Sequence, residues 1–321
     1  MRLLITGASG FVGYHLTRAA QTRGLEVVAG VRAGSKTDHL DVRTVVLDYG
    51  DFSRLVVALA DGEYDYIIHA AGATSAPNPE AYELANAGVT ETLAAAAVKA
   101  LPSLKKFVFL SSLAAVGPLS DPGGVIIEQT QPNPVTAYGR SKLLAESRLA
   151  IQPLPWLVLR PTAIYGPRET GIFIFLRLVA QGWEPYIGHV AQRLSFVYVS
   201  DVSELAVQAL FSDVAGRAYN VTDGSAYDRY VLADMVKAHF HRRTLKFHVP
   251  LPLVRALASM SEAFAGRRTP ALNRDKLREL TAACWVCDIG AAKRDLGYRP
   301  VFDLQAGLGR TLDWYQKEGW L

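Results

Sequence analysis

Tyr138 and Lys142 stand four residues apart, which places both side chains on one face of a helix. A phenol ordinarily titrates near ~10, so at neutral pH it moves protons poorly. A neighbouring ammonium favours the phenolate and draws that pKa toward the working range, making the two a proton relay. Upstream, Ser111-Ser112 closes an apolar, strand-like run, and Ser112 is placed to hydrogen-bond a substrate oxygen. Asn86 lies in the preceding helical segment. A tyrosine and a lysine at this spacing occur by chance in many helices. Weight comes from the serine pair and from the nucleotide-binding context around them. The chemistry these residues suit is proton transfer at a carbon bearing oxygen.

That context begins at the N-terminus. Thr6-Gly7-Ala8-Ser9-Gly10-Phe11-Val12-Gly13 spaces three glycines as G-x-x-G-x-x-G between a strand and a helix. One glycine permits a tight turn, another lets backbone approach a diphosphate, and the third lets helix and strand pack closely. The helix starting near Phe11 offers free N–H groups and its positive end to phosphates. Gly7, Ser9, Gly10, Phe11, Val12 and Gly13 are therefore expected to bind a dinucleotide. Which dinucleotide is read at the end of the second strand, Ala29-Gly30-Val31-Arg32. An acid there would hold a ribose 2′-hydroxyl, whereas Arg32 suits a 2′-phosphate through bidentate hydrogen bonds, with Lys36 assisting. NADP is favoured over NAD. Asp48, ending the third strand, is placed to accept from the adenine amino group.

Stepping outward, Leu3–Thr6, Glu26–Val31, Thr44–Leu47, Tyr66–Ala70, Phe107–Ser111 and Trp156–Arg160 read as buried parallel strands. Helical segments separate them, notably Tyr82–Ala100 and Ala137–Ala150. The alternation predicts an α/β fold, a Rossmann-type doubly wound parallel sheet with its ligand crevice at the strands' C-terminal ends. After Pro161 the pattern loosens: 166–193 is loop-rich with one helix, 196–220 returns as helix and strand, and the rest is mostly helical. The expected division is 1–165 plus 196–221 as the dinucleotide-binding domain. An interleaved, mostly helical substrate lobe takes 166–195 plus 222–321. The apolar run Ile172-Phe173-Ile174-Phe175-Leu176 suits helical core packing, with a substrate pocket wall as the alternative.

Of 321 residues half are apolar and 20% charged, enough for a sizeable core. A net charge of +4 with no Lys/Arg run of five gives no case for nucleic acid. The two cysteines, Cys284 and Cys287, cannot complete a thiolate metal site, and no metal is expected. Ala283–Cys287 reads as a short strand with its thiols on opposite faces, which favours structural over redox use. No secretion signal is visible and no run reaches the ~18 apolar residues of a membrane span; a cytoplasmic location is expected. The stretch Val249 to Ala265 reads as an amphipathic helix packed on the substrate lobe, with monotopic membrane contact as the alternative.

With these residues in view, the chain resembles the extended short-chain dehydrogenase/reductase family, of the NAD-dependent epimerase/dehydratase type, over nearly its whole length. The marks are Thr6–Gly13, His69-Ala70-Ala71, Asn86, Ser111-Ser112 with Gly117, Tyr138 with Lys142, the run Arg160 to Pro167, and Val199-Ser200-Asp201-Val202. The resemblance implies a catalytic triad of Ser112, Tyr138 and Lys142, ordered by Asn86 through water. It implies cofactor contacts from Ala70 and Ala71, and from Pro161 to Ile164 against the nicotinamide amide. It also implies a homodimer built from helices 82–100 and 137–150. Asn86-Ala87-Gly88-Val89-Thr90 departs from the usual N-V-x-G-T, which touches packing more than chemistry.

Two branches stand closest. The pattern ending at Arg32 resembles dihydroflavonol reductases. Tyr165-Gly166-Pro167-Arg168 with Phe173, Gly182 and Ile187-Gly188 resembles 3β-hydroxysteroid dehydrogenases. Both imply hydride transfer to or from a secondary alcohol or ketone of a small molecule, with Arg168 and Phe173 as substrate-side candidates beside Ser112. The alternative is a nucleotide-sugar epimerase with tightly held NAD. Arg193 stands near that group's diphosphate-binding arginine, but one residue out of register, which on a strand turns it to the opposite face. Leu113-Ala114-Ala115 supplies none of the acids a dehydratase needs. A non-catalytic cofactor-sensing or RNA-binding scaffold is the remote reading, and the intact tyrosine and lysine speak against it.

Overall fold

In the computed structural model, which describes residues 1–264 and 273–321, the apolar runs near the N-terminus pair edge to edge. The strands are β1 (Arg2–Thr6), β2 (Glu26–Val31), β3 (Arg43–Val46), β4 (Tyr66–His69), β5 (Lys106–Leu110), β6 (Trp156–Pro161) and β7 (Arg217–Val221). They form one parallel sheet in the order β7-β6-β5-β4-β1-β2-β3. Strands covered on both faces read as unbroken apolar runs, and these do. Their side chains still alternate. Leu3, Ile5, Val27, Ala29, Val108 and Leu157 enter one core layer, while Leu4, Val28, Phe107 and Val158 enter the other.

Each layer is closed by helices. On the first face lie α1 (Phe11–Thr22) and a helix at Val199–Ala209, through Leu16, Ala20, Val202 and Ala206. On the second lie α2 (Phe52–Ala60), α3 (Val89–Ala100) and α4 (Ala137–Ala150), through Leu55, Leu93, Ala97 and Leu149. The order of connection reverses beside β1, where a doubly wound sheet opens its ligand crevice. Sequence boundaries for the strands fall within a residue of those observed.

A third core fills the smaller layer. It gathers α5 (Gly171–Ala180), α7 (Val231–Phe240) and α11 (Leu304–Lys317) around Tyr165, Leu176, Tyr186, Phe196, Leu308 and Tyr315, α6 being the helix at Val199–Ala209. Three further helices are α8 (Leu251–Phe264), α9 (Arg274–Thr281) and α10 (Gly290–Leu296). Asp201 of the Val199–Val202 motif is buried at the seam, where its Oδ2 accepts from the Phe302 N–H at 3.0 Å and ties the C-terminal segment to α6.

Four expectations change. The segment expected as one helix over Tyr82–Ala100 is an α-turn at Pro79–Tyr82, a π-helical turn at Glu83–Gly88 and then α3. The loop-rich stretch 166–193 holds a strand, Trp183–Ile187, paired in parallel with Leu245–Val249. Ala283–Cys287 is not a regular strand. It makes isolated bridges from Cys284 to Leu119 and Arg193 and from Cys287 to Ile126. Both thiols are buried and unpaired, and burial pushes that of Cys287 up, away from the thiolate that redox work needs. Finally, α8 buries only Val254 and Ala258 of its first ten residues, leaving Leu253, Leu257 and Met260 exposed; Ala265, the expected end of that helix, lies outside the described residues. Among the described residues no helix is long and apolar enough to cross a membrane.

Candidate active site

The turn from β1 into α1 stands at the point where the strand order reverses. Gly7 sits at φ +73°, and the Gly10 N–H closes the turn on the Gly7 carbonyl at 3.0 Å. A Cβ on Gly13 would stand 2.0 Å from that same carbonyl oxygen, so α1 seats on the turn only with glycine there. α1 begins at Gly10 with no side-chain cap and no acid in its first turn. The leading N–H groups, from Phe11 onward, are left for an external acceptor, and this donor set fits the diphosphate of a dinucleotide.

The end of β4 is locked to the same turn. Ala71 N–H donates to Thr6 Oγ1 at 3.3 Å, and that hydroxyl lies 2.6 Å from His69 Nδ1. His69 Nε2 is 3.0 Å from Thr90 Oγ1, whose proton goes to the Asn86 carbonyl at 2.6 Å. Nε2 must therefore carry the imidazole proton, and Nδ1 accepts from Thr6. Burial, with the Lys142 charge second, holds the His69 pKa down to about 3. The ring is a fixed neutral brace.

Arg32 is exposed just past the end of β2; its carbonyl accepts from the Ser35 N–H at 3.1 Å, while its guanidinium makes no hydrogen bond or ion pair among the described residues. Its charge reaches Tyr49, whose pKa burial raises, with the Thr6 hydrogen bond and then Arg32 opposing. Asp48 is exposed nearby, accepting from the Gly50 N–H at 3.0 Å and lying 4.0 Å from Arg54.

The hydroxyl pair forms where α4 meets the turn Leu113–Ala115. Thr136 caps α4 by accepting from the Gly139 N–H at 3.0 Å. A Cβ on Gly139 would lie 2.3 Å from the Ala114 carbonyl oxygen, so this close seating also requires glycine. It brings the Tyr138 phenol close enough to Ser112 for that hydroxyl to favour the phenolate. Burial outweighs that influence and raises the phenol to about 12. The sequence led us to expect a phenol lowered by Lys142. The structure differs because Lys142 is itself buried, its Nζ donating to the Leu110 carbonyl at 2.7 Å and lying 4.4 Å over the Phe109 ring. Burial lowers its pKa to about 7, with Glu146 opposing.

Asn86 is carried into the site by the π-helical turn, a distortion common at functional positions. Its amide is clamped rather than free. Oδ1 accepts from the Ala73 N–H at 2.7 Å, while Nδ2 donates to the Ala73 carbonyl at 3.0 Å and to Ser141 Oγ at 2.8 Å. Ser141 in turn donates to the Tyr138 carbonyl at 2.7 Å. Asn86 thus holds the loop after β4 against the first turn of α4. Pro161 is buried at the end of β6 and Ile164 is half-buried beyond it. Between them Thr162 Oγ1 is buried without a hydrogen-bond partner, an orphan polar atom where the resemblance puts the nicotinamide amide.

The substrate-side candidates do not join this group. The Arg168 guanidinium stacks on Tyr14 at 4.3 Å, from a backbone held at φ +77°. Phe173 packs on Tyr315 and Trp320, with ring centroids 4.8 Å and 5.2 Å away. Arg193 Nη1 donates to the Pro122 carbonyl at 3.2 Å. Among the described residues none of the three contacts Ser112 or Tyr138.

Other residues do, and the sequence reading did not single them out. Tyr82 packs edge-on against Tyr138 at 6.2 Å. Asp275 of α9 accepts from the Ala137 N–H at 2.5 Å, and Glu279 acts electrostatically on the phenol, so α9 walls the site. Glu146 accepts from Ser111 Oγ and forms a buried pair with Arg160, the Nη2 to Oε2 distance being 2.6 Å. Its position four residues after Lys142 was a readable signal; Asp275 and Glu279 carry none.

A model of the NAD dependent epimerase/dehydratase family matches residues 3–222, the span that holds both the glycine turn and the hydroxyl pair. The chain belongs to that family. A ceramide reductase of Caulobacter vibrioides is similar to this chain, 28% identical over 99% of this chain and 95% of the relative. A sterol-4-alpha-carboxylate 3-dehydrogenase of Candida albicans is 26% identical over 98% of each chain. The fold also matches the UDP-glucose 4-epimerase of Thermotoga maritima solved with UDP-glucose, with a TM-score of 0.81 and 20% identity over 99% of each chain. The protein is an NAD(P)-dependent oxidoreductase or epimerase of the extended short-chain dehydrogenase/reductase type.

Proposed function

We propose that the protein transfers hydride between a nicotinamide dinucleotide, with NADP preferred, and a secondary alcohol or ketone of a small, largely apolar molecule. The observation that carries this reading is the Ser112 hydroxyl acting on the buried Tyr138 phenol, with the Lys142 ammonium buried on the same helix against the end of β5. A nicotinamide held by the turn at Gly7–Gly13, with Ala70, Ala71, Pro161 and Ile164 around it, supplies or accepts the hydride. Ser112 holds the substrate oxygen, and in the reducing direction Tyr138 delivers its phenolic proton to that oxygen. A phenol raised by burial keeps its proton at neutral pH, which suits it to donate. Lys142, near half-protonated at pH 7 and one helical turn on, returns a proton to the phenolate left behind.

The preference for NADP rests on Arg32 and the lack of an acid at the end of β2. The apolar substrate class rests on the names of the two relatives, and on Arg193 being held by a backbone carbonyl rather than free for a diphosphate. The layer containing 166–195 and 222–321 serves as the substrate lobe. The segment 82–100, ending in α3, and α4, tied by Arg148 to Glu91 at 2.7 Å, form the homodimer face.

The test is turnover of long-chain and sterol-like ketones with NADPH and NADH by wild type, Tyr138→Phe and Arg32→Ala. Oxidation of NADPH lost in Tyr138→Phe is expected, with Arg32→Ala losing affinity for NADPH selectively. Full turnover by Tyr138→Phe would refute the proton role, and tighter binding of NADH by wild type would refute the cofactor preference. Interconversion of UDP-sugars with no net redox would assign the epimerase reading instead.

A further inference from the structure

Six large apolar side chains outside the catalytic crevice lie on two consecutive elements and are left in solvent. On α8, Leu253, Leu257 and Met260 recur at helical spacing as an exposed stripe alongside the buried Val254 and Ala258. On the preceding two-stranded ribbon, Leu245 and Phe247 alternate onto one face, where Leu245 pairs with Trp183 and the Phe247 and Trp183 rings meet edge-on at 6.4 Å. Each of the six is between 39% and 60% exposed. Pro250 alone separates the strand Leu245–Val249 from α8. A soluble surface rarely carries so many large apolar groups together without an occupant.

The charge around them names the occupant. Residues 235–261 hold Lys237, Arg242, Arg243, Lys246 and Arg255 and not one Asp or Glu, while the entire chain carries only +4. Arg242, Arg243 and Arg255 are exposed. Lys237 and Lys246 are drawn to the buried Glu184 at 3.2 Å and 4.0 Å, so the outward charge is that of the three arginines. Apolar side chains including a tryptophan, flanked by exposed arginines and with the ribbon's carboxylate, Glu184, buried and paired, match the interfacial zone of an anionic bilayer. A second copy of this chain would bring the same positive charge to the contact and be repelled.

We propose that α8 and the ribbon Trp183–Ile187/Leu245–Val249 form a peripheral docking surface for an anionic phospholipid bilayer. The surface stands one helix from the catalytic wall. Arg274 of α9 donates to Ser259 of α8 at 3.2 Å, and the same helix carries Asp275 and Glu279 at the mouth over Tyr138. An apolar alcohol or ketone leaving the bilayer at α8 would enter beside α9. The docking surface does not depend on that use, and its test does not read turnover.

The full-length protein is sedimented with vesicles of phosphatidylcholine alone and of phosphatidylcholine containing about one-third phosphatidylglycerol. Wild type should co-sediment with the anionic vesicles at least tenfold better than with the neutral ones, and the difference should shrink as salt is raised. The triple change Leu253→Ser, Leu257→Ser, Met260→Ser should weaken that binding tenfold or more while leaving the thermal midpoint and dinucleotide affinity unchanged. Arg242→Glu with Arg243→Glu should lose the anionic preference alone. Trp183→Phe should remove the blue shift in emission that vesicles produce. Wild type remaining in solution with both vesicles would overturn the proposal. So would a triple variant that binds as wild type does, or one that instead splits a dimer formed by the wild type.

Discussion

Replacing Lys142 with methionine should make the protein inactive and more stable. The ammonium is buried, and burial brings its pKa from 10.5 to about 7. Below pH 7 both folded and unfolded chains hold the proton, and the folded state bears the full cost of enclosing the charge. Between pH 7 and 10.5 the unfolded chain keeps a proton that the folded one has released, so stability rises with pH across that window. At pH 7 the cost is about 4 kcal/mol, taking ~1.4 kcal/mol per tenfold. Methionine fills the same apolar slot against Phe109 but leaves the Leu110 carbonyl without its donor, which returns about 1–3 kcal/mol. The net gain expected is about 1–3 kcal/mol at pH 7. Urea unfolding followed by tryptophan emission reads it. By pH 9 the advantage over wild type should fall by about 2 kcal/mol, because wild type has shed the charge by then. A Lys142→Met protein less stable than wild type at pH 7, or one with the same advantage at both pH values, would refute the reasoning.

Glu146→Ala leaves Arg160 buried and unpaired and should cost about 3–5 kcal/mol in urea unfolding. It also removes the charge that opposes the fall in the Lys142 pKa, so the alkaline limb of the pH–rate profile, where the ammonium is lost, should move to lower pH. Gly139→Ala places a methyl 2.3 Å from the Ala114 carbonyl oxygen and should separate Tyr138 from Ser112. The expected loss in kcat is roughly tenfold or more, with dinucleotide affinity changed less than about threefold in a fluorescence titration. Phe173→Ala should lower stability by about 3–5 kcal/mol through its lost packing on Tyr315 and Trp320, while KM for the substrate holds. A large change in KM at undiminished stability would return Phe173 to the substrate pocket.

Much of the dinucleotide half could be read directly. Glu26–Val31 and Ala137–Ala150 have the bounds expected, because strand and helix periods here are local and each burial pattern repeats within a few residues. The π-helical turn at Glu83–Gly88 could not be read, since nothing in Glu-Leu-Ala-Asn-Ala-Gly departs from an ordinary helix. Its cause is the clamp of Asn86 on Ala73 and Ser141, residues outside the helix. The ribbon of Trp183–Ile187 with Leu245–Val249 escaped for a related reason. Each strand is short and partly polar, and its partner lies beyond α6, β7 and α7.

Residue types and local spacing by themselves determined the glycine turn, the i, i+4 relation of Tyr138 to Lys142, the parallel sheet and the hydroxyl at Ser112. All of these follow from chain geometry within a few residues. Tertiary structure alone decided the protonation of the site, because desolvation depends on everything that packs around a group. It raised Tyr138, lowered Lys142, and set Glu146 and Arg160 behind them. It also decided where Phe173, Arg168 and Arg193 went, and that α9 walls the mouth while α8 faces outward. Those outcomes depend on which surfaces meet, and no spacing along the chain records that.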